Sequence, residues 1–120
     1  MTTQLSIALV QINPTVGNID GNIELIRNER AKAKVGGADL LITGELSACG
    51  YPPEDLVLKS AFLDRVEEKV KILSRETVDG GPALLIGVPW RDNGKLYNAL
   101  IFIDEGEIKA IRFNTYPWNS

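Results

Sequence analysis

The sequence contains no histidine and a single cysteine, Cys49. Without histidine there is no side chain whose ordinary pKa lies near neutrality. Serine–histidine–aspartate and cysteine–histidine catalysis are excluded within these residues, as are most zinc sites. One cysteine cannot close an internal disulfide. Lys and Arg number 13 against 16 Asp and Glu, a formal net charge of −3, and no basic block stands out. A nucleic-acid backbone therefore has no electrostatic footprint to dock on. No apolar run reaches the length of a membrane span. Met1-Thr2-Thr3-Gln4 lacks the charged start of a signal peptide, which makes the cytoplasm the expected compartment. With 44% hydrophobic and 24% charged residues over 120 positions, the composition is that of one globular domain or a piece of one. Acid–base chemistry must fall to Glu, Asp, Lys or Tyr.

Leu5 to Val10 is an apolar run that reads as a buried strand, followed by a loop rich in Pro, Gly and Asn through Gly21. Asp20 or Asn22 is suited to cap a helix that carries Ile23, Ile26, Arg30 and Ala33 on one stripe and closes at Gly36-Gly37. Asp39 to Thr43 reads as a second short strand, buried on both faces. Strand, helix and strand joined through glycine predict a right-handed crossover between parallel neighbours. Gly50-Tyr51-Pro52-Pro53 forces a turn, and a short helix can start at Pro53-Glu54-Asp55. Ser60 is placed to cap a longer helix, to about Thr77, with Phe62, Val66, Val70 and Leu73 on its apolar stripe. Strands follow at Ala83 to Trp90, Leu96 to Ile103 and Glu107 to Phe113, joined by turns at Asp92-Asn93-Gly94 and Asp104-Glu105-Gly106. The order predicts an α/β fold with a mixed sheet and two main helices on one face. Ala83, Leu85, Gly87 and Leu84, Ile86, Val88 are apolar on both alternating sets, so the sheet's second face needs a cover: another sheet, further chain or a partner.

The most informative stretch is Thr43-Gly44-Glu45-Leu46 with Gly50-Tyr51-Pro52-Pro53-Glu54-Asp55-Leu56. An acid just past the carboxyl end of a buried strand sits where α/β proteins place functional groups. Partial desolvation there tunes a carboxylate toward general-base work. On the residues alone, a role for Glu45 as a loop cap or bridge outweighs the catalytic one. Cys49 lies four residues after Glu45 in the same loop and is more simply a small buried hydrophobe. Ser47 sits in Gly-x-x-Ser-x-x-Gly, not a nucleophile elbow, and Gly17 and Gly21 form no phosphate-binding loop. Glu67-Glu68-Lys69 with Lys71 reads as a solvated helix face with weak ion pairs.

Gln11-Ile12-Asn13-Pro14-Thr15-Val16-Gly17, Asp20-Gly21-Asn22, Ala38-Asp39-Leu40-Leu41 and Glu45-Leu46 together resemble the opening of the carbon–nitrogen hydrolase (nitrilase) superfamily. The Gly50-to-Leu56 string, with Lys95-Leu96-Tyr97-Asn98-Ala99 and Ile111-Arg112-Phe113, is similar to the glutaminase domain of bacterial glutamine-dependent NAD(+) synthetases. This resemblance, over about Leu5 to Phe113, implies the N-terminal portion of an α-β-β-α sandwich, truncated, with residues 1–113 as a partial hydrolase domain and 114–120 as a divergent tail. It implies glutamine as substrate, amide hydrolysis through a Glu–Lys–Cys triad, and ammonia passed to a synthetase domain that uses ATP and Mg²⁺ outside this chain.

Carried over residue by residue, Glu45 takes the general-base position and Tyr51 lines the glutamine pocket. Asn114 stands where the family has its lysine, a loss of charge that makes it unfit for the lysine's role. Gly44 stands where the superfamily usually has proline. From Asn114 on, Thr115-Tyr116-Pro117-Trp118-Asn119-Ser120 departs from the family's Leu-Pro-Asn-Tyr-Gly continuation, as though the reading frame changed. The family's nucleophilic cysteine has no counterpart, and these residues are expected to be inactive alone. A non-catalytic module, pairing with itself or other subunits through the uncovered sheet face, is the competing reading. A stand-alone amidase is disfavoured by the Tyr-Pro-Pro-Glu-Asp-Leu string.

A half-covered sheet buries too little apolar area to offset ordering entropy comfortably, so the isolated chain is predicted to be marginally stable. A thermal melt with sedimentation analysis checks this. A cooperative, monomeric transition at the temperature of ordinary domains contradicts it.

Overall fold

A computed structural model describes residues 4–10, 18–44 and 60–115, with side chains through residue 113. Its elements are β1 (Ile7–Leu9), α1 (Ile19–Val35), β2 (Leu40–Ile42), α2 (Ser60–Glu76), a 3-10 turn (Thr77–Asp79), β3 (Ala83–Asp92), β4 (Lys95–Asp104) and β5 (Glu107–Thr115). The strands form one sheet in sequence order, β1-β2-β3-β4-β5. β1, β2 and β3 run parallel; β4 and β5 continue antiparallel. The mixed sheet matches the expectation, and so do both hairpins. Asn93 (φ 50°) with Gly94 (φ 76°), and Glu105 (φ 52°) with Gly106 (φ 82°), give the left-handed pairs that a two-residue turn between right-twisted strands requires.

Both helices pack on one face. Ile19, Ile23 and Ile26 of α1 and Phe62, Leu63, Val66, Val70 and Leu73 of α2 share a core with Leu41, Leu84, Ile86, Val88, Ile101 and Ile103. The register explains this: Leu41 pairs with Leu84, Leu84 with Ile103 and Ile86 with Ile101, so these side chains leave the sheet on the same side. The alternate set, Leu40, Ile42, Leu85, Leu100 and Phe102, is only half-buried. Leu5, Ile7 and Leu9 are 65%, 49% and 77% exposed. The second face is thus apolar and open, as the doubly apolar strands imply.

Four local expectations are corrected. The run at Leu5 to Val10 is not a buried strand; it yields a three-residue strand at the sheet's edge. β2 is buried on the helix side only. Neither Asp20 nor Asn22 caps α1. Asn18 does: its side chain accepts from Gly21 N at 3.0 Å, and its carbonyl from Asn22 N at 3.0 Å. Ser60 lies inside α2, and its hydroxyl accepts from Arg91 Nη1 at 3.0 Å.

Charged side chains tie the layers together. Arg30, on the apolar stripe of α1, is buried with each of its three guanidinium nitrogens making a hydrogen bond. Nε donates to Pro82 O at 2.8 Å, and Nη1 and Nη2 donate to Asp79 at 3.1 and 2.8 Å. Asp79 Oδ1 also accepts from Gly81 N at 2.8 Å. One guanidinium thereby fixes the corner that feeds β3. Glu67 and Lys69 are not simply solvated: Glu67 pairs with Arg91 at 3.4 Å and Lys69 with Asp20 at 3.2 Å, bridging α2 to β3 and to α1. Thr77 Oγ1 donates to Ser74 O at 2.7 Å and accepts from Gly106 N at 2.9 Å, pinning the β4–β5 turn to the 3-10 corner.

The Arg30 hydrogen bonds, then the Gly81 N–H, hold the Asp79 carboxyl well below the usual carboxylate range. A carboxylate with a depressed folded-state pKa contributes stability above its unfolded value of about 3.9 and loses it as pH falls toward the folded one. The melting temperature is therefore expected to drop as pH is lowered below about 4, and D79N should flatten part of that drop. Parallel pH–melting curves for the two proteins would show this; superimposable slopes contradict it.

Candidate functional site at the carboxyl edge of the sheet

β2 is hydrogen-bonded along both of its sides. Val10 N donates to Ile42 O at 3.0 Å, Thr43 N donates to Leu85 O at 3.1 Å, and Ala83 N donates to Asp39 O at 2.9 Å. The ladder holds Thr43 buried at the strand's carboxyl end and leaves Gly44 exposed beyond it. Glu45 is the next residue. It lies outside the described residues, as do Ser47, Cys49, Tyr51 and the start proposed for a short helix at Pro53.

Asn114 lies within β5, which runs to Thr115, beyond the strand end expected at Phe113. Because β4 turns back on β3 and β5 on β4, β5 runs in the same direction as β2. Asn114 pairs with Asn98, and Asn98 with Pro89. Pro89 lies four residues past Leu85, the partner of Ile42, or about 13 Å further along the sheet. The backbone at 114 and the end of β2 therefore share the carboxyl edge, with β3 and β4 between them.

Cations at this edge differ in what holds them. Arg91 donates to Asp64 and, at 3.4 Å, to Glu67, so its charge is spent on α2; its Asp64 hydrogen bond is what chiefly raises its pKa. Arg112 is exposed and has no ion-pair or hydrogen-bond partner among the described residues. Its set in the strand alternation also holds Ala110 and position 114. On the opposite face Tyr97 and Phe113 stack with ring centroids 4.8 Å apart at 48°, a tilted pair that braces the β4–β5 end against the helix side. The Lys95-to-Ala99 and Ile111-to-Phe113 strings carry family resemblance alone and single out neither Asn98 nor Arg112. Arg112 shares a strand face with position 114 through their period-two spacing.

Two concavities lie elsewhere. One of about 890 Å³ opens at the amino ends of β2 and β3, where Asp39, Asp104 and Glu105 line it beside Leu40 and Phe102. The other, about 490 Å³, lies between Arg27, Lys34, Glu76 and Asp79 on the helix side. Neither includes a predicted site residue. Among the described residues no group of three His, Cys, Asp or Glu is placed to hold a metal ion. No described helix is long and apolar enough to cross a membrane.

Residues 6–114 match the carbon–nitrogen hydrolase family. The chain belongs to that family. As a carbon–nitrogen hydrolase it is similar to the glutamine-dependent NAD(+) synthetase of Synechocystis sp., at 40% identity over 111 residues, covering 87% of this chain and 20% of that protein. It is 39% identical over 110 residues to the same-named protein of Rhodobacter capsulatus, covering 92% of this chain and 20% of that one. Among solved structures, a glutamine-dependent NAD+ synthetase from Acinetobacter baumannii, in complex with ADP, superposes with a TM-score of 0.82 at 31% identity, over 90% of this chain and 20% of that one. An amidase from Nesterenkonia sp. superposes with a TM-score of 0.75 at 26% identity, over 92% of this chain and 42% of that one. The chain thus spans about one fifth of the length of the NAD(+) synthetases it matches. The fold is accordingly a portion of a nitrilase-like α/β architecture, and the resemblance drawn from its motifs is upheld.

Gly44, at the lip of the edge, does not need to be glycine. Among the described residues a Cβ there meets nothing within 4 Å, and its φ is not left-handed. Gly44→Ala should therefore stabilise by about 0.4–1 kcal/mol by restricting the unfolded chain. Denaturant titration measures it; a loss of stability would mean that the lip is tighter than described.

Proposed function

We propose that this chain is part of a glutaminase unit that hydrolyses the side-chain amide of glutamine and supplies ammonia for the amidation of deamido-NAD. The observation that carries the reading is the convergence at one sheet edge. The β2 ladder ends at Thr43, two residues before Glu45, and β5 carries the backbone of position 114 to the same edge.

In this reading Glu45 takes the proton of a cysteine thiol, whose thiolate attacks the amide carbon. The tetrahedral intermediate collapses to a glutamyl thioester and releases ammonia, and water then cleaves the thioester. Tyr51 lines the amide pocket. A lysine at 114 would stabilise the oxyanion; Asn114 offers a neutral donor in its place, and transition-state stabilisation falls accordingly. Cys49, in the same loop as Glu45, is not the nucleophile. The nucleophile, and the synthetase part where ATP and Mg²⁺ act, belong to residues that this chain does not contain. Alone it hydrolyses little or nothing, and the sequence of residues 114–120 departs from the family pattern. The setting is cytoplasmic. A second reading rests on the exposed Leu5, Ile7 and Leu9: a non-catalytic module that pairs, with itself or another subunit, through the open sheet face.

The test transplants residues 1–113 into the Rhodobacter capsulatus relative in place of the matching segment and measures ammonia release from glutamine. The chimera with Lys at 114 should be active. Asn at 114 should lower the rate by roughly 10²–10³-fold. E45Q should lower it by at least about 10²-fold. An E45Q chimera as fast as its parent would sink the glutaminase reading.

A further inference from the structure

Arg112 is the unexplained charge of the sheet's open face. Arg27, Arg30, Arg65 and Arg91 are each held by a carboxylate. Among the described residues Arg112 has no such partner, and neither has Arg75, which lies on the exposed side of α2. In the register Arg112 pairs with Leu100, and Leu100 with Gly87, which adds no side chain to the row. Next to this row stand Leu85, Phe102 and Ala110, so the guanidinium projects from an apolar surface. A planar fork is a two-pronged receptor for a carboxylate, and among the described residues its donors are unspent.

We propose that Arg112 binds the free carboxylate of a glutamine-sized amino-acid amide whose side-chain amide lies at the level of residue 114. This rests on the amide-hydrolysing reading above and adds to it the group that selects for an amino acid over a simple amide. The spacing favours it. Residues two apart on a strand stand about 7 Å apart on one face. Four carbon–carbon bonds of about 1.5 Å separate the amide carbon of glutamine from its carboxylate carbon, an extended reach of about 5 Å, with hydrogen-bond lengths making up the rest. Asparagine is one bond short and cannot reach both positions as well. The plain alternative is that Arg112 only keeps edge strand β5 from pairing with other chains. That role has no reason to distinguish ligands with and without a carboxylate.

The experiment titrates the ¹⁵N-labelled chain with glutamine, asparagine and butyramide, following amide shifts at Asn98, Ala99 and Leu100, for wild type, R112Q and R112K. Glutamine should bind tighter than butyramide to wild type. R112Q should weaken glutamine about tenfold or more and leave butyramide within about twofold, while R112K keeps part of the difference. Asparagine should bind less well than glutamine. If R112Q leaves glutamine binding unchanged, or weakens glutamine and butyramide alike, the assignment is overturned. If wild type holds butyramide as tightly as glutamine, carboxylate recognition fails while the amide site stands. If wild type binds neither, the assignment falls together with the glutaminase reading.

Discussion

Everything at the candidate site hangs on the ladder of β2. Three residues, Leu40–Ile42, are bonded to β1 on one side and β3 on the other, and Leu41 is sealed beneath both helices. A strand this short has little stability of its own. Its position is set by neighbours: Ser6 and Asp39 clasp its amino end through Asp39 N to Ser6 O at 2.7 Å and Ser6 N to Asp39 Oδ2 at 2.9 Å, and Thr43 N ties its carboxyl end to Leu85. A shift of one residue would turn Leu41 out of the core and move the attachment of Glu45 to the other face.

The sheet is asymmetric, and that asymmetry organises the rest. On the closed side the helices are fastened by ion pairs that reach across layers, with Arg30 and Asp79 guarding the corner into β3 and Arg91 joining β3 to α2. On the open side the strands present leucine, isoleucine and phenylalanine and, among the described residues, the unpaired guanidinium of Arg112. The carboxyl edge therefore adjoins a surface that is apolar and, among the described residues, charged at Arg112.

The architecture was legible where local pattern and tertiary context agree. Apolar runs bounded by glycine turns gave the strands, and Asp92-Asn93-Gly94 gave a hairpin because its left-handed residues allow little else. The failures have physical causes. The run at Leu5 to Val10 shows what a strand could bury, not what is there to cover it, so an edge strand passed for a buried one. Asn18, Asp20 and Asn22 are all capping residue types; the choice of Asn18 depended on the reach to Gly21 N, which spacing alone does not reveal. Glu67 and Lys69 looked solvated because a helical wheel cannot show Arg91 or Asp20 approaching from other elements. At the site, Glu45 and 114 were drawn from motif resemblance, whereas Arg112 emerged only once the register had sorted β5 into two faces.

Amide hydrogen exchange at Thr43 is the most direct test, since its N–H makes the last ladder bond before Glu45. Protection comparable to that of Leu41 and Leu84, well above a free peptide, is expected. Exchange at the unstructured rate, with β3 and β4 still protected, would show that β2 does not fix the chain at the sheet's carboxyl edge, and the site built there would have no foundation.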